Sequence, residues 1–271
     1  MKIFLLVLLF CFNSFAVEEK IVVLVPGFFN SFAPEYFSKT VVKAFTANGL
    51  KVFIASNLNP VGSIAENGAR LEDLLEKIEA NEGYKVNFNI VAHSAGGLYS
   101  LWVSSQRKIN IDKLITISTP FQGVEFVETW IKKSFLFSAL ADLTYIQGFY
   151  ELTPVGVKHF LESVKPNNNM QIFSYGGFQK QALDVTDARN ISAPLLVTSH
   201  YTNGKSDGIV ALSSSLGYPQ AKISNSFIRL EHWEQVLDPS AFAFLGIRNT
   251  NFIRQEQLRF YTALAHQIVD K

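Results

Sequence analysis

Phe88-Asn89-Ile90-Val91-Ala92 is a largely apolar run that leads without a linker into His93-Ser94-Ala95-Gly96-Gly97, and a further apolar segment continues to about Arg107. The first run reads as a strand and the last segment as a helix. The chain must therefore switch from extended to helical within a residue or two. Such a turn leaves no room for side chains two positions either side of its central residue, and Ala92 and Gly96 meet that demand. It lifts the Ser94 hydroxyl out of the sheet and aims the Ala95 N–H at the same space. A helix N-terminus there favours a developing negative charge. Ser94 is the candidate nucleophile; an ordinary structural turn is the alternative.

The turn implies strands alternating with helices, and the rest of the chain supplies them. Lys20 to Val25 is a β-branched and aliphatic run that stops at Pro26-Gly27, the pattern of a strand buried on both faces. Pro34 opens a helix that runs to about Ala47 and stops at Asn48-Gly49. Lys51 to Ala55 is a short strand. Ile64, Leu71, Leu74, Leu75 and Ile78 follow helical spacing, closed by Asn81-Glu82-Gly83. Further strands are predicted at 113–118, 195–199 and 226–230. The class is α/β, with a mostly parallel central sheet and helices on both faces. At 271 residues, with no repeat and no Pro/Gly/Ser-rich linker, one domain is expected. Lys and Arg number 24 against 23 Asp and Glu, so no basic surface is available to neutralise phosphates, and no nucleic-acid partner is expected.

Lys2 precedes an uncharged run, Ile3 to Phe12, and then Asn13-Ser14-Phe15-Ala16. The run is well short of the ~20 residues that span a bilayer. It reads as a signal peptide over residues 1–16, cleaved after Ala16, with a secreted domain over 17–271; an uncleaved N-terminal anchor is the alternative. Cys11, the only cysteine, lies inside this segment, so no disulfide is expected in the mature chain.

A serine hydroxyl needs a base and an orienting acid. With a nucleophile on this kind of turn, the partners follow in the order Asp or Glu, then His. His232 comes after the last predicted strand and is the candidate base. His159 and His266 lie on predicted helices, His200 precedes the best acid, and His93 is expected to point away along the turn. Asp207 lies in Ser206-Asp207-Gly208-Ile209-Val210, where Gly208 lets the chain bend toward an imidazole, and is the candidate acid. Asp184, Asp187 and Asp238 are less well placed. A second oxyanion donor, beside the Ala95 N–H, is expected from the loop after the first strand at the N–H of Phe28. No cofactor is required for such chemistry. Gly123 to Leu161 is rich in aromatic and aliphatic residues and poor in charge. It reads either as a buried helix pair or as a helical lid over 123–161 that covers an apolar pocket.

With these residues in place, the chain resembles secreted bacterial triacylglycerol lipases of the α/β-hydrolase fold, of the Pseudomonas and Burkholderia true-lipase type. Pro26-Gly27-Phe28 stands where that family has its oxyanion loop, and Ala92 to Gly97 matches its nucleophile motif. Thr119-Pro120-Phe121-Gln122-Gly123 looks like its Thr-Pro-x-x-Gly segment. Leu152-Thr153-Pro154, Ser174-Tyr175-Gly176-Gly177, Ser206 to Gly217, and His232 with Glu234 and Val236 extend the likeness. The resemblance implies a lid and a structural calcium, with Asp184 and Glu234 as its carboxylates; Glu234 stands where the family usually has Asp. It also brings in a dedicated membrane-bound foldase as a partner, since many members need one. Pro26 departs from the family's His before the oxyanion glycine. The expectation is a secreted lipase acting on acylglycerol esters, at a lipid–water interface. The alternatives are a phospholipase or an acyltransferase with the same machinery, or a hydrolase-like module that only binds.

Overall fold

The computed structural model describes residues 19–32, 35–127, 143–177, 205–223, 227–242 and 250–270. The expected signal peptide, the strand at 195–199, His200, Asp184 and Asp187 lie outside the described residues, as do residues 128–142 of the expected lid.

Among the described residues six parallel strands form one sheet: β1 (Ile21–Val25), β2 (Lys51–Ile54), β3 (Asn87–His93), β4 (Asn110–Ile117), β5 (Gln171–Tyr175) and β6 (Lys222–Ile223), in the order β2-β1-β3-β4-β5-β6. Between them run α1 (Lys39–Thr46), α2 (Ile64–Glu82), α3 (Gly96–Gln106), α4 (Leu143–Glu151), α5 (Pro154–Ser163) and the single turn α6 (Leu212–Ser215). A long α7 (Thr250–Val269) follows.

Alternation along each strand divides the core in two. Val23, Val25, Ile90, Ala92 and Leu114 face one way, against α2 and α3, with Phe149, Leu152 and Val157 of the α4–α5 region in the same cluster. Val22, Leu24, Val91, Ile115 and Ile117 face the other way, against α1 and α7. Both faces of the sheet are thus covered, which is why the strands read as continuous apolar runs.

Helix boundaries follow local chemistry. Ser63 caps α2 by accepting the Glu66 N–H at 3.1 Å, and Gly83 closes it in the left-handed region at φ 77°. α1 starts at Lys39, later than Pro34 suggested, because the buried Ser38 is its cap and accepts the Val41 N–H at 3.2 Å. Two strand expectations change. β5 is a strand that the expectations above do not include. Of the run expected at 226–230, residues 227–230 are described and contribute a single bridge, from Ile228 to Gly177; among the described residues the edge of the sheet is the two-residue β6 instead.

The strand order reverses at β1: its chain neighbour β2 lies on one side and β3 on the other. Crevices at the carboxyl ends of such strands are where parallel α/β sheets bind ligands. β1 ends there in Pro26-Gly27 and β3 in His93-Ser94.

Candidate active site

Ser94 adopts φ 56°, a left-handed conformation that a non-glycine residue takes up only where its surroundings hold it. Its N–H donates to the Ile117 carbonyl of β4 at 2.9 Å, and its carbonyl accepts from Thr119 Oγ1 at 2.8 Å. The space around the turn is as restricted as its sequence implied. A Cβ on Gly96 would stand 2.5 Å from the Val25 carbonyl oxygen and 2.8 Å from that of Pro26. Ala92 is fully buried. Thr119-Pro120-Phe121-Gln122-Gly123 ties three regions together: Thr119 holds the Ser94 carbonyl, Gln122 N–H donates to Ser214 Oγ, and Gly123, at φ 77°, lies against Thr153-Pro154 at the start of α5.

The loop after β1 passes directly over the serine. A Cβ on Gly27 would lie 2.5 Å from Ser94 Cβ and 3.0 Å from its Oγ, so glycine is what permits the approach. Gly27 N–H donates to the Tyr36 hydroxyl at 3.0 Å, and Phe29 N–H to the Pro60 carbonyl at 2.7 Å. Among the described residues no group accepts from the N–H of Phe28 or from that of Ala95. Those two amides are the expected oxyanion donors. The Phe28 ring stacks edge-on with Phe29 and with Phe149 of α4, at centroid distances of 4.8 and 4.9 Å. The described part of the 123–161 segment therefore sits against the oxyanion loop.

Asp207 and His232 come together from loops 25 positions apart. His232 Nδ1 lies 2.8 Å from Asp207 Oδ2, and the His232 N–H donates to the Asp207 carbonyl at 3.0 Å. Gly208, at φ 96°, turns the chain so that the N–H groups of Ile209 and Val210 reach Asp207 Oδ1 at 3.0 and 2.8 Å. Gln235 Nε2 adds a donor to Oδ2 at 3.0 Å. Burial pushes the Asp207 carboxyl up, but the His232 ring, the Val210 amide and the Ser118 hydroxyl together hold it below its ordinary value. Asp207 is thus a carboxylate, able to fix the imidazole with its proton on Nδ1 and Nε2 free to accept.

His93 does not point away. Its ring is fully buried and lies 4.5 Å from the His232 ring, inclined at 46°. Ser94 and His232 are not hydrogen-bonded to each other in the structure, and the stacked His93 ring joins the turn to the Asp207–His232 pair. Burial and the adjacent His232 hold the His93 ring well below the ordinary imidazole value, so it is neutral. Tyr36, which hydrogen-bonds both Gly27 and His93, and Gln235 were also missed, because nothing local in their sequence marks them. Asp238 accepts from Ser240 and Arg254, away from His232.

The implied calcium finds no support in the described residues. No group of three or more His, Cys, Asp or Glu side chains among them could hold a metal ion. Glu234 is buried, and its Oε2 accepts the Glu231 N–H of its own turn at 3.2 Å. The described residues do not make a metal site, and Asp184 lies outside them.

No protein-family model matches the chain, and no curated protein does either. Solved structures do. The chain is similar to a metagenomic carboxyl esterase, with a TM-score of 0.73 at 16% identity over 94% of this chain and 77% of that one. It is similar to the mature form of the Bacillus licheniformis lipase BlEst2, with a TM-score of 0.61 at 20% identity over 84% and 93% of the two chains. EstA from Clostridium botulinum gives a TM-score of 0.52 at 14% identity over 89% and 87%. At these identities the likeness is one of fold. The parallel sheet and its covering helices are those of the α/β-hydrolase fold.

Proposed function

We propose that this chain is a serine ester hydrolase, secreted and of the lipase kind, acting on acylglycerol esters. The observation that carries the reading is the Asp207–His232 pair, with its imidazole stacked beside the residue that precedes a left-handed Ser94. Ser94 Oγ attacks the ester carbonyl while His232 Nε2 takes its proton. That hydrogen bond forms as the substrate enters, since such contacts are often long in free enzymes. Asp207 holds the imidazole orientation and stabilises the imidazolium. The N–H groups of Phe28 and Ala95 receive the oxyanion, His232 returns the proton to the departing alcohol, and water then releases the acyl group. The similar carboxyl esterase and lipase structures support ester chemistry on this framework. The aromatic group of Phe28, Phe29 and Phe149 supports an apolar acyl substrate.

A fluorophosphonate probe should label the wild type and leave Ser94→Ala unlabelled, with that variant still folded but nearly inactive on nitrophenyl esters. Labelling of Ser94→Ala at the wild-type rate would remove the nucleophile. Emulsified triglyceride, phospholipid vesicles and an alcohol acceptor, assayed side by side, separate the lipase from a phospholipase or an acyltransferase.

A further inference from the structure

A line of buried polar groups runs between the two halves of the site, and the chemistry above does not use it. Gly27 N–H donates to the Tyr36 hydroxyl at 3.0 Å, and that hydroxyl lies 2.9 Å from His93 Nδ1. The Tyr36 oxygen already accepts from Gly27, so the arrangement that leaves fewest buried groups unmatched directs its one proton at His93 Nδ1. A neutral His93 then carries its own proton on Nε2. From the other side, Gln235 Nε2 faces two groups that can only accept, Asp207 Oδ2 at 3.0 Å and the Leu230 carbonyl at 3.4 Å. Its Oε1 must therefore face away from them. His93 Nε2 and Gln235 Oε1 are both buried and make no hydrogen bond in the structure, to each other or to any other group, one a donor and one an acceptor left to be matched. The Gln235 side chain and the His232 backbone both favour a proton on His93.

We propose that Tyr36, His93 and Gln235 form one buried hydrogen-bond chain, running from Gly27 N–H through all three to Asp207, which holds the oxyanion loop in register with the Asp207–His232 pair. Once His93 Nε2 closes onto Gln235 Oε1, every donor along it points the same way, so each bond polarises the next. Because Tyr36 occupies the Gly27 amide, the following amide, that of Phe28, is the one left for the substrate. None of the three touches substrate; they are positioning residues. The inference rests on the ester-hydrolase reading.

Tyr36→Phe and Gln235→Met break the chain at separate links with little change in volume. On a soluble short-chain nitrophenyl ester, each should lower kcat by about tenfold or more while KM stays within about twofold, since the defect is one of alignment. The double variant should be no slower than the slower single, because one break already interrupts the chain. Losses that multiply in the double variant would make the residues independent and overturn the proposal, as would a single variant whose kcat stays near wild type. If Tyr36→Phe does not fold, His93→Asn, too short to reach Gln235, should give the same loss and the same non-additivity with Gln235→Met. A wild type that is neither active nor labelled at Ser94 would sink the underlying reading as well. A labelled, active wild type with fully active variants would sink the chain alone.

Discussion

Asp207 is the residue on which the proposed chemistry turns most sharply. Asp207→Asn keeps nearly the same shape but can donate to His232, which reverses the imidazole tautomer. By analogy with the serine proteases, it should lower kcat by on the order of 10⁴, while Asp238→Asn, away from His232, should stay near wild type. A loss for Asp207→Asn no larger than that for Asp238→Asn would move the acid elsewhere. Two buried groups of the site also contribute to the acid limb of stability. The Asp207 carboxyl is held down in the folded state, so its stabilisation is present above about pH 4 and fades as pH falls through the folded value. His93 is held down as well, by burial and by His232. The unfolded ring takes up a proton below about pH 6.5 and the folded one resists it, so stability declines as pH falls below that point. Urea unfolding of His93→Asn between about pH 7 and pH 5 should therefore show a flatter slope than wild type. An unchanged slope would mean that the folded ring is free to protonate.

At the level of elements, the base loop is held by helices from opposite ends of the chain. Ser38, the cap of α1, takes the Val236 carbonyl on its N–H at 2.7 Å and donates its hydroxyl to Gln257 of α7 at 2.9 Å. Gln257 Nε2 in turn satisfies the carbonyls of Glu234 and Leu237, each at 2.8 Å. Gln257→Leu would leave both carbonyls buried and unmatched, for a loss of about 3 kcal/mol in stability by denaturant titration. It should also lower activity, although the residue lies outside the proposed chemistry. Gly96 plays the corresponding part under the serine. Its missing Cβ makes room for the Val25 and Pro26 carbonyls, which are backbone and cannot rotate aside. Gly96→Ala should destabilise by about 1–3 kcal/mol and displace Ser94. A variant with wild-type stability and rate would mean that the turn is looser than it looks.

At the scale of the whole molecule, the described residues pack two apolar layers, one on each face of the sheet. With Cys11 as its only cysteine, the chain cannot form an internal disulfide, so its melting temperature should not change with reductant. The α4 contact of Phe149 with the oxyanion loop also makes substrate entry a whole-molecule question. For a lipase whose helical cover opens at an interface, a series of esters of rising chain length should show a rate jump at each solubility limit. A smooth curve through those limits would favour a plain esterase.

The sequence by itself determined the features that arise from neighbours along the chain. The apolar runs of β1 and β3, the helical spacing of α2 with its Gly83 stop, and the cramped positions Ala92 and Gly96 are local, and they were legible. Ser94, Asp207 and His232 were legible as candidates because chain order restricts the choice. The meeting of Asp207 and His232 was decided only by the tertiary structure, as were the turning-in of His93 onto His232 and the roles of Tyr36, Gln235 and Gln257. So was the single bridge made by the described residues of the run at 226–230. Each of these depends on buried hydrogen bonds or stacking between segments far apart in the chain, and partners of that kind leave no periodicity or spacing in the sequence from which to read them.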